Sequence, residues 1–228
     1  PASGAPSPLR KDAQVIGLVG LAHGISHFSQ LLLAPLFPWL KDAFAVSYTE
    51  LGFLMTVFFV VSCATQAASG FVVDRHGPRP VLFAGLALLS AGALGFSMAP
   101  TYGVMALFAV VAGVGNGVFH PVDFTILNRK VSAPRLGHAY SVHGLTGNLG
   151  WALAPALLVP VAVATSWRIA LAVAGGFVLS VLVLLWFKRD RLELPPPPAH
   201  APAEGQSQAQ GQEGSFGFLR IPAVRSEE

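Results

Sequence analysis

The sequence predicts an all-α membrane protein of six transmembrane helices, arranged as two related groups of three. Three observations predict it. Only 11% of residues are charged and 53% are hydrophobic, with a mean hydropathy of +0.60; a soluble domain carries about 25% charge. Six apolar runs reach the roughly 20 residues that a bilayer-crossing helix needs. The charges of the first 190 residues collect at the ends of those runs.

Residues 1–13 are polar and proline-rich and read as a cytoplasmic N-terminal tail. The first run, 14–39, is too long for a signal-peptide core and lacks a clear cleavage site, so it reads as a retained helix. Pro35 and Pro38 mark a kink or an end near its close. The second run, 48–72, aligns Gly52, Thr56, Phe59, Cys63, Gln66 and Gly70 on one face. Gln66 is its strongly polar side chain at depth, and packing and pore lining are equally open for it. Cys63 is the single cysteine, which excludes an internal disulfide, and it reads as a small buried residue.

Runs three and four cover 80–99 and 103–128. The fifth, 138–163, places Ser141, Gly144, Asn148 and Pro155 near one face, and Pro155 and Pro160 read as a kink or an end. His143 falls on a different face from Asn148, and His138 reads as interfacial. The sixth run is 167–187, so the transmembrane domain is expected over 14–190. Residues 191–228 read as a Pro/Gln/Gly-rich cytoplasmic linker: a stiff proline spacer at 195–198, a stretch expected to be disordered, and an apolar stub near Phe216.

Lys and Arg set the orientation. With the N-terminus inside, inner segments carry ten basic residues (Arg10, Lys11, Arg75, Arg79, Arg129, Lys130, Arg135, Lys188, Arg189, Arg191) and outer loops two (Lys41, Arg168). Both chain ends are therefore expected in the cytoplasm. The net charge of +3 is dispersed over loop ends and gives no nucleic-acid signal. The expected partners are the lipid bilayer, a small-molecule substrate and protons; no cofactor is expected, and no enzyme activity.

Runs one and four repeat one another. Gly20-x-x-His23-Gly24-x-x-His27-x-x-Gln30 matches Gly113-x-x-Asn116-Gly117-x-x-His120-x-x-Asp123 at a constant offset (20 + 93 = 113, 27 + 93 = 120). The spacing i, i+3, i+4, i+7 puts each set on one helix face. Two readings stand. Small residues interleaved with polar ones make a helix-packing face. Alternatively, both faces line a shared wet cavity, because ionisable groups at membrane depth are costly and mark a pathway; a three-plus-three repeat with sites at its interface is a transporter pattern. The substrate and proton pathway is then His23, His27, Gln30, Gln66, Asn116, His120, Asp123 and Asn148, with imidazole suited to proton carriage. His23 and His27 are spaced as a metal pair, with His120 and Asp123 as further ligands; with no His-Glu-x-x-His and no other compact cluster, no metal site is expected.

Gly70-x-x-x-Asp74-Arg75-x-Gly77-x-Arg79, between the second and third runs, resembles the loop motif of the major facilitator superfamily. Pro80 stands where a second basic residue is common. The resemblance implies that Gly70, Asp74, Arg75, Gly77 and Arg79 form a conformational gate. Asp74 would sit near a helix N-terminus, and Arg75 or Arg79 near helix C-terminal carbonyls. Val118-Phe119-His120-Pro121, and Gly147-Asn148-Leu149-Gly150 followed by Ala154-Pro155, are similar to the fosmidomycin-resistance branch of that superfamily. Gly150-x-x-x-Ala154-Pro155 also resembles an antiporter motif, with Ala in place of its second Gly. Ser26-His27 replaces the branch's Asn-Asp, and Ala109 occupies the place of the Arg found in many drug exporters. The resemblance implies the N-terminal six-helix half of a twelve-helix fold in the cell (inner) membrane. It implies proton-coupled efflux by alternating access, with a C-terminal six-helix half or a second copy as partner. A half that serves only as a membrane partner or assembly module is the other reading.

Overall fold

The computed structural model describes residues 8–194. Its helices are α1 (Pro8–Gln30), α2 (Phe37–Phe44), α3 (Tyr48–His76), α4 (Pro78–Met98), α5 (Tyr102–Asn116), α6 (Phe119–Lys130), α7 (Leu136–Ala164) and α8 (Trp167–Phe187). Among the described residues, six stretches are long and apolar enough to cross a bilayer: α1 with α2, α3, α4, α5 with α6, α7, and α8. The all-α, six-span expectation holds. The linker beyond Leu194, with its proline spacer and apolar stub, lies outside the described residues.

Helix α1 begins at Pro8, ahead of the expected 14, so part of the expected tail is helical. Proline suits a first helical turn, where its missing N–H would have no partner. Asp12 anchors that end, accepting from Ser132 Oγ at 2.6 Å, Arg135 Nε at 2.7 Å and Ser132 N at 3.2 Å. Run one then breaks after Gln30, and Pro35 and Pro38 each lie at the start of a new helical segment. At Pro155 and Pro160 the expectation of a helix end fails: α7 continues through both to Ala164. Membrane helices tolerate such prolines because neighbouring groups and small local adjustments re-satisfy the freed backbone.

Helix α3 starts at a capping box. Glu50 N donates to Ser47 Oγ at 3.2 Å, and Ser47 N donates to Glu50 Oε2 at 2.7 Å. The helix reaches His76, past the expected 72, so Asp74 and Arg75 are helical rather than part of a loop. Arg75 and His76 in the last turn complement the negative helix end. Gly77 alone separates α3 from α4, at φ 81° and ψ 157°. That region is essentially open to glycine only.

Run four is two helices. Pro121 has no N–H for the Gly117 carbonyl, and the ladder breaks at Gly117–Val118. The Ser69 hydroxyl of α3, shared with the Gln66 carbonyl of its own helix at 3.0 Å, reaches the Gly117 carbonyl at 3.3 Å. The repeat's second face therefore spans a helix break, which corrects the expectation of a single continuous helix face.

The repeat's glycines set the packing. Helix α1 packs on α7 and helix α5 on α3. A Cβ at Gly24 would lie 3.1 Å from the Thr146 carbonyl oxygen of α7, and one at Gly117 would lie 2.5 Å from the Ser62 carbonyl oxygen of α3. Each copy of the repeat thus uses its small residues to bring one long helix close. The opposite faces of those long helices are uncovered. Thr56, Phe59, Cys63 and Gln66 on α3 are exposed, as are Ser141, Gly144, Asn148 and Pro155 on α7. Cys63 is thereby corrected from buried to exposed. Polarity had pointed those faces inward, but close helix contact in a bilayer selects small side chains. The face of α7 that is buried carries Ala139, His143, Gly147, Gly150 and Ala154.

A candidate polar centre between α1, α5, α6 and α7

Two adjoining sets of polar side chains lie between these helices, the first buried and the second running out to the exposed Trp151. The first is centred on Asp123, on α6 and fully buried. His23 Nδ1 on α1 and His143 Nε2 on α7 each donate to Asp123 Oδ2, both at 3.1 Å. These tautomers are assigned from the shared acceptor. His23 and His143 are stacked, with ring centroids 3.4 Å apart. His27 lies 4.4 Å and His120 5.2 Å from the His23 ring, centroid to centroid. Asp123 Oδ1 and both ring nitrogens of His27 are buried without a hydrogen-bond partner. Four imidazoles thus surround one carboxylate, contributed by every span that carries the repeat and by α7.

Local sequence explains the crowding. His23 and His27 are one turn apart on α1. Gly147 on α7 faces both: a Cβ there would lie 2.9 Å from His27 Cε1 and 3.1 Å from His23 Nε2. The break at Gly117–Val118 lets α6 start afresh, and Asp123 then lies on the buried face of α6 with Val122, Ile126 and Leu127.

The second set is a hydrogen-bonded chain. Trp151 Nε1 donates to Gln30 Oε1 at 2.8 Å, and Gln30 Nε2 donates to Asn116 Oδ1 at 3.4 Å. Ser26 Oγ donates to the same Oδ1 at 3.0 Å, and Asn116 Nδ2 donates to Ser62 Oγ at 2.7 Å. Four spans (α1, α3, α5 and α7) are tied by these side-chain bonds.

Of the residues expected on the pathway, His23, His27, His120 and Asp123 come together, and Gln30 and Asn116 meet beside them. Gln66 and Asn148 do not join; both are exposed, and neither makes a side-chain hydrogen bond among the described residues. His143, Ser26, Ser62 and Trp151 were missed. One signal pointed to His143: His143, Gly147, Gly150 and Ala154 recur at helical spacing as a small-residue stripe, the partner that Gly20 and Gly24 of α1 require. The metal-capable grouping also differs from the one weighed from sequence. It is His23, Asp123 and His143, whose ligand atoms lie within 4.8 Å of one another. In the gate motif, Asp74 makes no hydrogen bond or ion pair among the described residues. Arg79 pairs with Glu193 at 2.9 Å, and Lys130 Nζ donates to the Glu193 carbonyl.

Residues 19–225 match the Major Facilitator Superfamily family. The chain belongs to that superfamily. It is 26% identical over 156 residues to the "Fosmidomycin resistance protein" of Escherichia coli, covering 68% of this chain and 38% of the relative. Over 184 residues it is 26% identical to the "Membrane sensor protein UhpC" of Salmonella typhimurium, covering 78% and 41%. It is also 32% identical over 148 residues to the "Multidrug resistance protein B homolog" of Mycobacterium tuberculosis, covering 64% and 26%. The chain therefore spans well under two thirds of the length of each of these relatives. Membership of this superfamily identifies the six spans as part of a multi-pass membrane transporter fold.

Proposed function

We propose that these six helices are one half of a secondary transporter in the inner membrane, with both chain ends cytoplasmic, that couples small-molecule export to protons by alternating access. One observation carries the reading. Asp123, fully buried in an apolar bundle, accepts from two imidazoles while its second oxygen has no partner. An ionisable centre at that depth is costly and marks a functional pathway. Protonation at Asp123 or a neighbouring imidazole removes or adds charge and so biases one conformation over another. Gln30, Asn116 and the uncovered polar residues Gln66 and Asn148 supply this half's share of the passage. The α3 and α7 faces that carry Gln66 and Asn148 are the surfaces for a C-terminal half or a second copy. Gly70, Asp74, Arg75, Gly77 and Arg79 act at the cytoplasmic end as the gate, with Gly77 fixing the angle between α3 and α4. Residues 191–228 are the linker. Similarity to resistance proteins supports export.

The test is susceptibility of cells expressing the gene product, across amphiphilic and phosphonate-type antibiotics and divalent transition-metal salts, with flux in proteoliposomes under an imposed pH gradient. Wild type should lower susceptibility and show gradient-dependent flux, and Asp123→Asn should abolish both. Flux that persists in Asp123→Asn would remove the coupling role from this centre. The similarity to a membrane sensor protein, which covers more of the chain than the other two, favours a second reading as a partner module. Ligand-dependent protection of the exposed Cys63 from thiol reagents, without any flux, would select it.

A further inference from the structure

Resting on that reading of the centre, we propose that the substrate bound there is a divalent first-row transition-metal ion of the Zn²⁺ class, held by His23, Asp123 and His143. The donor set decides the class. Imidazole with one carboxylate suits Zn²⁺, Co²⁺, Ni²⁺ and Fe²⁺. Mg²⁺ and Ca²⁺ take oxygen ligands. A thiolate for softer ions is lacking, because the chain's one cysteine, Cys63, lies on the exposed face of α3. Among the described residues, organic anions meet no Lys or Arg there; the cationic side chains nearest in sequence to Asp123 are Arg129 and Lys130, at the far end of α6.

The distances fit a shared ion. Ligands about 2.0–2.2 Å from a tetrahedral zinc stand roughly 3.3–3.6 Å from one another. Both imidazole nitrogens are 3.1 Å from Asp123 Oδ2. All three ligand atoms lie within 4.8 Å, and all three residues are buried. The two rings are stacked 22° from parallel, so both must turn about their terminal torsions, which are soft, to bring their lone pairs onto one ion. A fourth ligand is at hand. His27 has both nitrogens unpartnered and buried, and Asp123 Oδ1 is likewise unpartnered. Gly147 leaves the volume in which the His23 and His27 rings turn. Three protein ligands plus an exchangeable fourth is the arrangement of an open zinc site. An ion that must leave as well as enter needs such a site.

The experiment is titration of the purified chain in detergent with Co²⁺, followed by visible absorption, and competition with Zn²⁺. The expected result is a tetrahedral cobalt band that saturates at one equivalent and is displaced by Zn²⁺. Asp123→Asn and His143→Gln should each raise Kd by at least ~100-fold, since outer-shell partners alone are worth about 10–100-fold. Gly147→Ala, which removes no ligand, should raise it by ~10-fold. His138→Ala, on the exposed start of α7, should leave it unchanged. No band in the wild type overturns the proposal, as does a band unaltered in Asp123→Asn; the wild-type titration decides the matter even where a variant fails to fold. Loss of the band with Asp123-dependent proton flux intact sinks the metal alone. A band without any proton coupling sinks the transport reading alone.

Discussion

Gly117→Ala tests whether the repeat's glycines hold the interior together. Gly117 is right-handed in conformation (φ −67°), so alanine brings no backbone strain there. The obstacle is space. The added Cβ would lie 2.5 Å from the Ser62 carbonyl oxygen, 2.6 Å from Thr65 Cβ and 2.9 Å from Gln66 N. Two of these atoms are backbone, so no rotamer relieves them. Restoring an ordinary contact of about 3.4 Å moves α3 away by roughly 0.9 Å. That stretches the 2.7 Å bond from Asn116 Nδ2 to Ser62 Oγ beyond hydrogen-bond range. Overpacking of this kind costs about 1–3 kcal/mol, and the lost bond about 1 kcal/mol more. Alanine's better helix propensity returns at most about 1 kcal/mol. A net loss of about 1–3 kcal/mol lowers Tm by about 2–12 °C for a chain of this length. The assay is thermal unfolding of the purified protein in detergent, followed by circular dichroism. Gly144→Ala on α7 is the control: nothing lies within 4 Å of its Cβ position, so its Tm should be unchanged or rise. A Gly117→Ala protein as stable as the Gly144→Ala protein would refute the close-packing argument.

Gly77→Ala forces a side chain into a glycine-only region and should cost about 1–3 kcal/mol, read as a drop in Tm even though nothing crowds the site. Asp12→Asn weakens the charge-assisted bonds to Ser132 and Arg135; hydrogen exchange at the first turn of α1 should rise, with a loss of about 1–2 kcal/mol because Arg135 is partly exposed. Ser69→Ala removes the hydroxyl shared by the Gln66 and Gly117 carbonyls and should lower Tm by a few degrees, on the order of 1 kcal/mol. Arg79→Ala breaks an ion pair whose Glu193 side is 60% exposed, and its Tm should not move measurably.

The number and rough extent of the spans were legible because apolar length is a one-dimensional property. The sixth run, 167–187, coincides with α8. The breaks were harder. Proline marked the end of α1, yet α7 continued past two prolines. The repeat was legible, and its residues His23, Asn116 and Asp123 are buried. Its two functions were not separable by pattern. The glycines serve packing and the polar residues meet in the centre, so different residues of one face have different neighbours. His143 escaped because sorting α7 by polarity chose the face of Asn148. Which face is buried depended on where Gly20 and Gly24 of α1 needed a close partner. That is a fact about pairs of helices, absent from either helix alone.

The crossed partnership of α1 with α7 has a consequence for biogenesis. Gly24 packs on Thr146, and His23 shares an acceptor with His143, yet these partners are separated by more than half of the described chain. At about 5–20 residues per second, α7 leaves the ribosome roughly 6–25 s after α1. For that interval α1 presents two imidazoles and a glycine groove to lipid or to the insertion machinery. Whatever shelters nascent α1 must hold it until the fifth span arrives, and a slower ribosome lengthens the wait in proportion.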